Sequence, residues 1–134
     1  STGMRFHTAV NKFCWQAVMG QQITVWETAY QQFRPYLDLL DASNAFEHII
    51  EKNIFDGETF NVLTLNATVK NVIDIIKEKI PSLKISFVQN QIMNQLSYKV
   101  KSEKFKSTGF QYEGSLKRGI NKTIDILKNS NVQI

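Results

Sequence analysis

The chain has little of what most catalytic sites are built from. Among its 134 residues there is one cysteine, Cys14, so no intrachain disulfide can form, and a lone thiol suits a reducing compartment such as the cytoplasm. The two histidines, His7 and His48, have no Cys/His cluster beside them, which argues against a zinc site. The six glycines stand at 3, 20, 57, 109, 114 and 119. That spacing contains no Gly-x-Gly-x-x-Gly turn, and no Gly-Lys-Ser/Thr loop is present to cradle a phosphate. A Tyr-x-x-x-Lys pair is missing as well: four residues after Tyr30, Tyr36, Tyr98 and Tyr112 come Arg34, Leu40, Ser102 and Leu116. Apolar runs are broken by Lys, Asn or Glu before they reach bilayer-spanning length, so no membrane partner is expected. The opening STGMRFHTAV lacks the basic start and apolar core of a secretion signal. No complete catalytic constellation and no metal site is legible.

What is present is an ordinary globular balance, 43% hydrophobic and 11% aromatic, enough for one domain over 1–134 with its own core. The net charge of +4 is unevenly spread. Residues 1–67 hold 4 Lys/Arg and 7 Asp/Glu, whereas residues 68–134 hold 12 and 5. A basic half can attract an anion, a membrane surface or nucleic acid, or can simply be a solvated face. The lysines at 99, 101, 104 and 106 raise a nucleic-acid alternative, but no reading motif accompanies them.

Four apolar stripes at helical spacing predict helices over 8–19, 41–53, 68–80 and 115–128. Gly20 and Pro81 serve as stops, and Asp41, Thr68 and Ser115 as caps. The stripe Ala42, Ala45, Phe46, Ile49 and Ile50 places Phe46 in the core, so that Phe46→Ala should lose roughly 3–5 kcal/mol. Strand candidates are 22–26, 36–40, 59–63 (TFNVL), 84–88 and 98–100, and a short helix should run from a Ser102 cap to Gly109. Alternating strands and helices make the class α/β, several helices with short strands.

One cation stands apart. Arg34 opens the stretch FRPYLDLLDA, directly before a half-buried strand pattern. A guanidinium there can grip two phosphate or carboxylate oxygens, or it can form a surface ion pair with Asp38 or Asp41; spacing alone leaves both open.

The segment Gln32-Phe33-Arg34-Pro35-Tyr36-Leu37, with Asp41 seven residues after the arginine and Ala45 in the next helix, resembles the extended short-chain dehydrogenase/reductases, the NAD-dependent nucleotide-sugar epimerases and dehydratases. The resemblance extends in order through Met4-Arg5-Phe6, Val10-Asn11-Lys12-Phe13, Ile23-Thr24-Val25-Trp26, Phe60-Asn61-Val62, Thr68-Val69, Ser97-Tyr98-Lys99-Val100, Gly109-Phe110 and Ser115 to Ile120. It implies the C-terminal, substrate-binding part of such an enzyme, with the dinucleotide-binding glycines and the catalytic Tyr/Lys upstream. NAD(P) is then the cofactor of the intact enzyme and none is expected in this chain. It implies that Arg34 contacts the diphosphate of a nucleotide sugar, with Val10, Asn11 and Tyr98 in the same pocket. The alternative is a nucleotide-sugar-binding module without chemistry. The chain departs from the family pattern at Glu27-Thr28-Ala29 in place of a Gly-x-Gly turn, at Asp38 in place of His, and at Leu96 in place of a second diphosphate arginine. Lys99 or Lys101 could stand in for the latter. The 59–63 strand belongs beside a dinucleotide-binding sheet, and left open it would favour self-association.

Overall fold

The structure, a computed structural model, describes residues 8–89 and 97–131. The expectations at Met4-Arg5-Phe6, His7 and Leu96 lie outside them. The elements run α1 (Ala9–Val18), β1 (Ile23–Trp26), α2 (Glu27–Tyr30), β2 (Phe33–Tyr36), α3 (Leu39–Glu51), β3 (Leu65–Thr68), α4 (Val69–Lys79), β4 (Ile85–Val88), α5 (Glu103–Lys106) and α6 (Leu116–Asn131). Each of the four predicted helices is present to within two or three residues at either end.

Local chemistry sets the helix ends. After α1 the chain turns through Gly20 at φ +68°, and Gln21 N donates to Gln16 O at 2.8 Å. This left-handed C-terminal turn favours glycine. At α4, Thr68 Oγ1 accepts from Asn71 N at 3.1 Å and Asn71 Oδ1 accepts from Thr68 N at 2.9 Å, a reciprocal cap that satisfies two otherwise orphaned donors. Ser115 Oγ accepts from Arg118 N at the start of α6.

The main core forms where α1, α4 and α6 close over β1. Cys14, Ile23, Val72, Ile73, Ile76, Ile120 and Ile124 are essentially inaccessible there. A second, aromatic cluster gathers Phe105 and Phe110 against Ala45, with Phe60, Val62 and Tyr112 around them. Phe105 is why the four-residue α5 exists as an element: its ring meets those of His48, Phe60 and Phe110 at centroid separations of 5.7, 5.5 and 4.8 Å.

The strands form two separate pairs. β1 and β4 are parallel, with Ile23 opposite Ile85; β2 and β3 are antiparallel, with Arg34 opposite Ala67 and Tyr36 opposite Leu65. Three expectations need correction here. The 36–40 strand lies earlier, at 33–36, because Asp38 starts α3: its side chain accepts from Leu40 N at 2.8 Å, so Asp38 and not Asp41 is the cap. Pro35 is tolerated because, among the described residues, β2 has one partner strand, and a residue without N–H fits such an edge. Residues 59–63 form no strand. Phe60 turns into the aromatic cluster and Leu63 is buried, while Lys104 Nζ donates to Thr59 O at 3.1 Å, so local packing takes the segment in place of a ladder. Residues 98–100 are likewise not a strand. Val100 is held by a side chain: its N donates to Asn66 Oδ1 and its carbonyl accepts from Asn66 Nδ2, both at 2.9 Å. The strand that the sequence pattern does not reveal is β3, a half-buried LNAT run.

The burial expected for Phe46 is also overturned. Phe46 and Ile50 are each 68% exposed, while Asp41 and Ala45 are the buried residues of α3. The helix is apolar on two sides, and the side turned inward is the one that carries Asp41.

Candidate functional site

Arg34 sits in the middle of β2 and is half-buried. Its Nη1 donates to Phe33 O at 2.8 Å and its Nη2 to Gln32 Oε1 at 3.2 Å. The guanidinium carbon lies 5.1 Å from the centre of the Tyr98 ring, within cation–π range. The segment carrying Tyr98 is clipped along the start of β2: Tyr98 N donates to Phe33 O at 3.3 Å, and Phe33 N donates to Ser97 Oγ at 2.9 Å. Tyr36, two residues on and so on the same face of the strand, has its phenol pKa raised by burial and partly restored by the nearby Arg34 charge. The fold thus orients a planar fork of donors between two tyrosines, one packed on the core and the other half exposed.

The two aspartates offered as ion-pair partners bond elsewhere. Asp38 caps α3 and its other oxygen accepts from Ser115 N at 3.2 Å. Asp41, with no exposed surface, accepts from Glu113 N at 2.8 Å and Gly114 N at 2.9 Å through Oδ1, and from the Thr64 hydroxyl at 2.5 Å through Oδ2. Both aspartates tie the start of α3 to the 113–115 turn and to Thr64. Gly114 is obligatory at this knot: a Cβ there would stand 2.3 Å from Asp41 Oδ2 and 2.5 Å from Asp38 Cβ. Sequence reasoning found Asp41 but gave it the wrong task, and it missed Gly114 and Thr64. The single Asp-x-x-Asp at 38 and 41 was the available signal.

Of the other predicted site residues, Val10 is half-buried and packs on the same core cluster as Tyr36, with half-buried Asn11 beside it. The structure places Arg34 beside Tyr98, whereas Val10 shares a core cluster with Tyr36 and not with Arg34 or Tyr98. As for a second phosphate clamp, Lys99 Nζ lies 4.1 Å from the centre of the Phe33 ring. Phe33 and Arg34 are successive strand residues and point to opposite faces, so Lys99 is on the side away from Arg34. Three of the four lysines that raised a nucleic-acid reading cover aromatic rings: Lys99 on Phe33, Lys104 on Phe60 and Lys106 on Tyr112.

An open groove of about 430 Å³ lies between β3, α4 and the start of α6, lined in part by Asn66, Asn71, Gly114 and Lys117. It does not include Arg34. β1 runs straight into α2 at Glu27-Thr28-Ala29, with no glycine at the junction. No described helix is long and apolar enough to cross a membrane.

Comparison with known proteins gives a fold-level match. No protein-family model matches the chain, and no curated protein sequence does. Solved structures do. A UDP-glucuronic acid 4-epimerase from Bacillus cereus, solved with UDP-glucuronic acid and NAD, superposes with a TM-score of 0.81 at 17% identity, over 95% of this chain and 41% of its own. RMD from Pseudomonas aeruginosa, in complex with NADPH, gives 0.79 at 14% identity over 96% and 45%. A UDP-glucose 4-epimerase from Thermotoga maritima with UDP-glucose gives 0.77 at 17% identity over 92% and 40%. The chain therefore has the α/β fold of part of these enzymes, with six helices and short strands among the described residues, and it spans about two-fifths of their length.

Proposed function

We propose that this chain is the substrate-binding part of an NAD(P)-dependent epimerase or dehydratase of nucleotide sugars, working in the cytoplasm, and that Arg34 contacts the substrate diphosphate. The observation that carries the reading is the seating of Arg34: a guanidinium aimed by Phe33 O and Gln32 Oε1, within cation–π range of Tyr98, on a fold shared with epimerases solved around UDP-sugars. A diphosphate would replace the neutral Gln32 oxygen with charged ones, a stronger acceptor for the same fork. Val10 and Asn11 would form a wall of the nucleotide pocket, and Tyr98 would hold the arginine in register. Lys99 lies over the Phe33 ring, on the opposite face, and so is not the second diphosphate cation. The hydride chemistry and the dinucleotide belong to residues outside this chain. A buried, lone Cys14 suits a reducing compartment.

The test is calorimetry on the full gene product with UDP-, dTDP-, GDP- and CDP-sugars. A charge-assisted bidentate contact is worth roughly 1.5–3 kcal/mol, so Arg34→Ala should weaken binding about ten- to a hundredfold. Arg34→Lys should recover part of it, because an ammonium cannot present the fork. Unchanged affinities with the fold intact, or no binding of any of the sugars by the unaltered protein, would overturn the reading.

A further inference from the structure

Residues 97–102, which carry Tyr98, belong to no helix or strand, and the Tyr98 ring is half exposed. Neither a ladder nor burial therefore keeps that ring beside Arg34. Two fastenings do. At one end Phe33 N donates to Ser97 Oγ at 2.9 Å and Tyr98 N donates to Phe33 O at 3.3 Å. At the other end the Asn66 amide takes both backbone groups of Val100, accepting from its N and donating to its O, each at 2.9 Å. Asn66 stands opposite Pro35 in the β2–β3 ladder. The segment thus passes β2 in that strand's own direction, with Ser97 and Tyr98 at Phe33 and Val100 level with the Pro35–Asn66 pair. A parallel ladder begun by Tyr98 N on Phe33 O continues with a bond from the N–H of residue 35 to Tyr98 O. Pro35 has no N–H to give, so that rung cannot form. A primary amide carries the donor and the acceptor of a peptide group, and Asn66 offers both one step further on.

We propose that Asn66 is a positioning residue: its side-chain amide replaces the rung that Pro35 denies and thereby holds Tyr98 on Arg34. Its consequence for binding rests on the reading of Arg34 as the diphosphate contact. Arg34 is paired with Ala67, the neighbour of Asn66, so the Arg34 and Asn66 side chains leave opposite faces of the strand pair. Asn66 therefore acts on Arg34 through the 97–100 segment. Asparagine is the residue the task requires. Aspartate keeps the acceptor for Val100 N but sets a second acceptor, charged, against Val100 O, and alanine offers neither group.

Fluorine NMR on the full gene product labelled with 3-fluorotyrosine reads the seat of Tyr98 without any substrate, the Tyr98 signal being the one lost in Tyr98→Phe. Arg34→Ala should shift that signal, because the ring loses the charge beside it. Asn66→Ala should move it toward the position of the unfolded chain and narrow it, while the signals of Tyr30, Tyr36 and Tyr112 stay in place. Asn66→Asp should fall between. A Tyr98 signal that either Arg34→Ala or both Asn66 variants leave unmoved, or one that both Asn66 variants move only together with the other tyrosines, would overturn the proposal. Calorimetry with the best-bound of the UDP-, dTDP-, GDP- and CDP-sugars reads the consequence. Asn66→Ala should weaken binding about two- to fivefold, the range of an exposed cation–π contact, and should add nothing in an Arg34→Ala background, since residues that act through one pair are not additive. Equal weakening in both backgrounds would overturn the positioning role and give Asn66 a general structural one. If the unaltered protein binds none of the sugars, the diphosphate reading fails, and the fluorine signals still decide whether Asn66 seats Tyr98.

Discussion

Asp41 is the residue whose removal should be felt most. It is fully buried and accepts three hydrogen bonds, from two backbone N–H groups of the 113–114 turn and from the Thr64 hydroxyl. Asp41→Ala leaves Glu113 N and Gly114 N without an acceptor in a site closed to water. An unsatisfied buried donor costs about 1–3 kcal/mol. Thr64 can turn its hydrogen elsewhere, and Asp38 N still donates to its oxygen at 2.8 Å. Losing the carboxylate also removes the desolvation penalty of burying it, which offsets part of the loss. The net expectation is about 3–5 kcal/mol, a large share of the stability of a domain this size. Asp41→Asn is the informative contrast. Its Oδ1 can still accept from both N–H groups, and its amide can donate to Thr64 Oγ1, reversing that one bond; the loss should be about 1 kcal/mol. Urea unfolding followed by far-ultraviolet circular dichroism and by the fluorescence of Trp15 and Trp26 measures both. With a slope of about 1–3 kcal/mol/M, the alanine variant should shift the midpoint by more than 1 M. If alanine costs less than about 1 kcal/mol, or if asparagine is as damaging as alanine, the hydrogen-bond knot is not what holds α3 to the 113–115 turn.

Gly114→Ala should destabilise by roughly 1–3 kcal/mol, as overpacking does, because its Cβ would overlap Asp41 and Asp38; thermal unfolding reads this directly. Phe46→Ala, expected from the stripe alone to be severe, should change stability by less than about 1 kcal/mol in denaturant titrations, since Phe46 is a surface residue here. Burial pushes the Cys14 thiol from 9.0 up to about 12, so Ellman's reagent should label it only in denaturant. The folded state keeps its thiol proton while the unfolded state loses it above pH 9. The stability due to this group is therefore fully present below pH 9, and falls by about 1.4 kcal/mol per pH unit between 9 and 12. A Cys14→Ala variant that loses stability as steeply over that range would assign the alkaline limb to other groups.

The sequence by itself determined the four long helices and the composition of the main core. Stripes such as Val72, Ile73 and Ile76 repeat at 3.6 residues, and caps such as Thr68 act within one turn, so both are local. It also singled out Arg34 and, through ordered resemblance, Tyr98 beside it. What only the tertiary structure decided was which side of α3 faces inward and which segments become strands. The apolar residues of α3 occupy both of its sides, so periodicity could not choose between Ala45 and Phe46. The choice fell to Asp41, whose acceptors are met by Thr64 and by the 113–114 backbone, the latter more than seventy residues away. Segments 59–63 and 65–68 are both short and mixed, and a strand exists only where a partner lies alongside. β2 lies beside 65–68, whereas Phe60 and Leu63 are taken by side-chain packing. The same holds for Lys99 near Arg34: its ammonium lies over the Phe33 ring, on the face of β2 away from Arg34, a tertiary contact that no local pattern encodes.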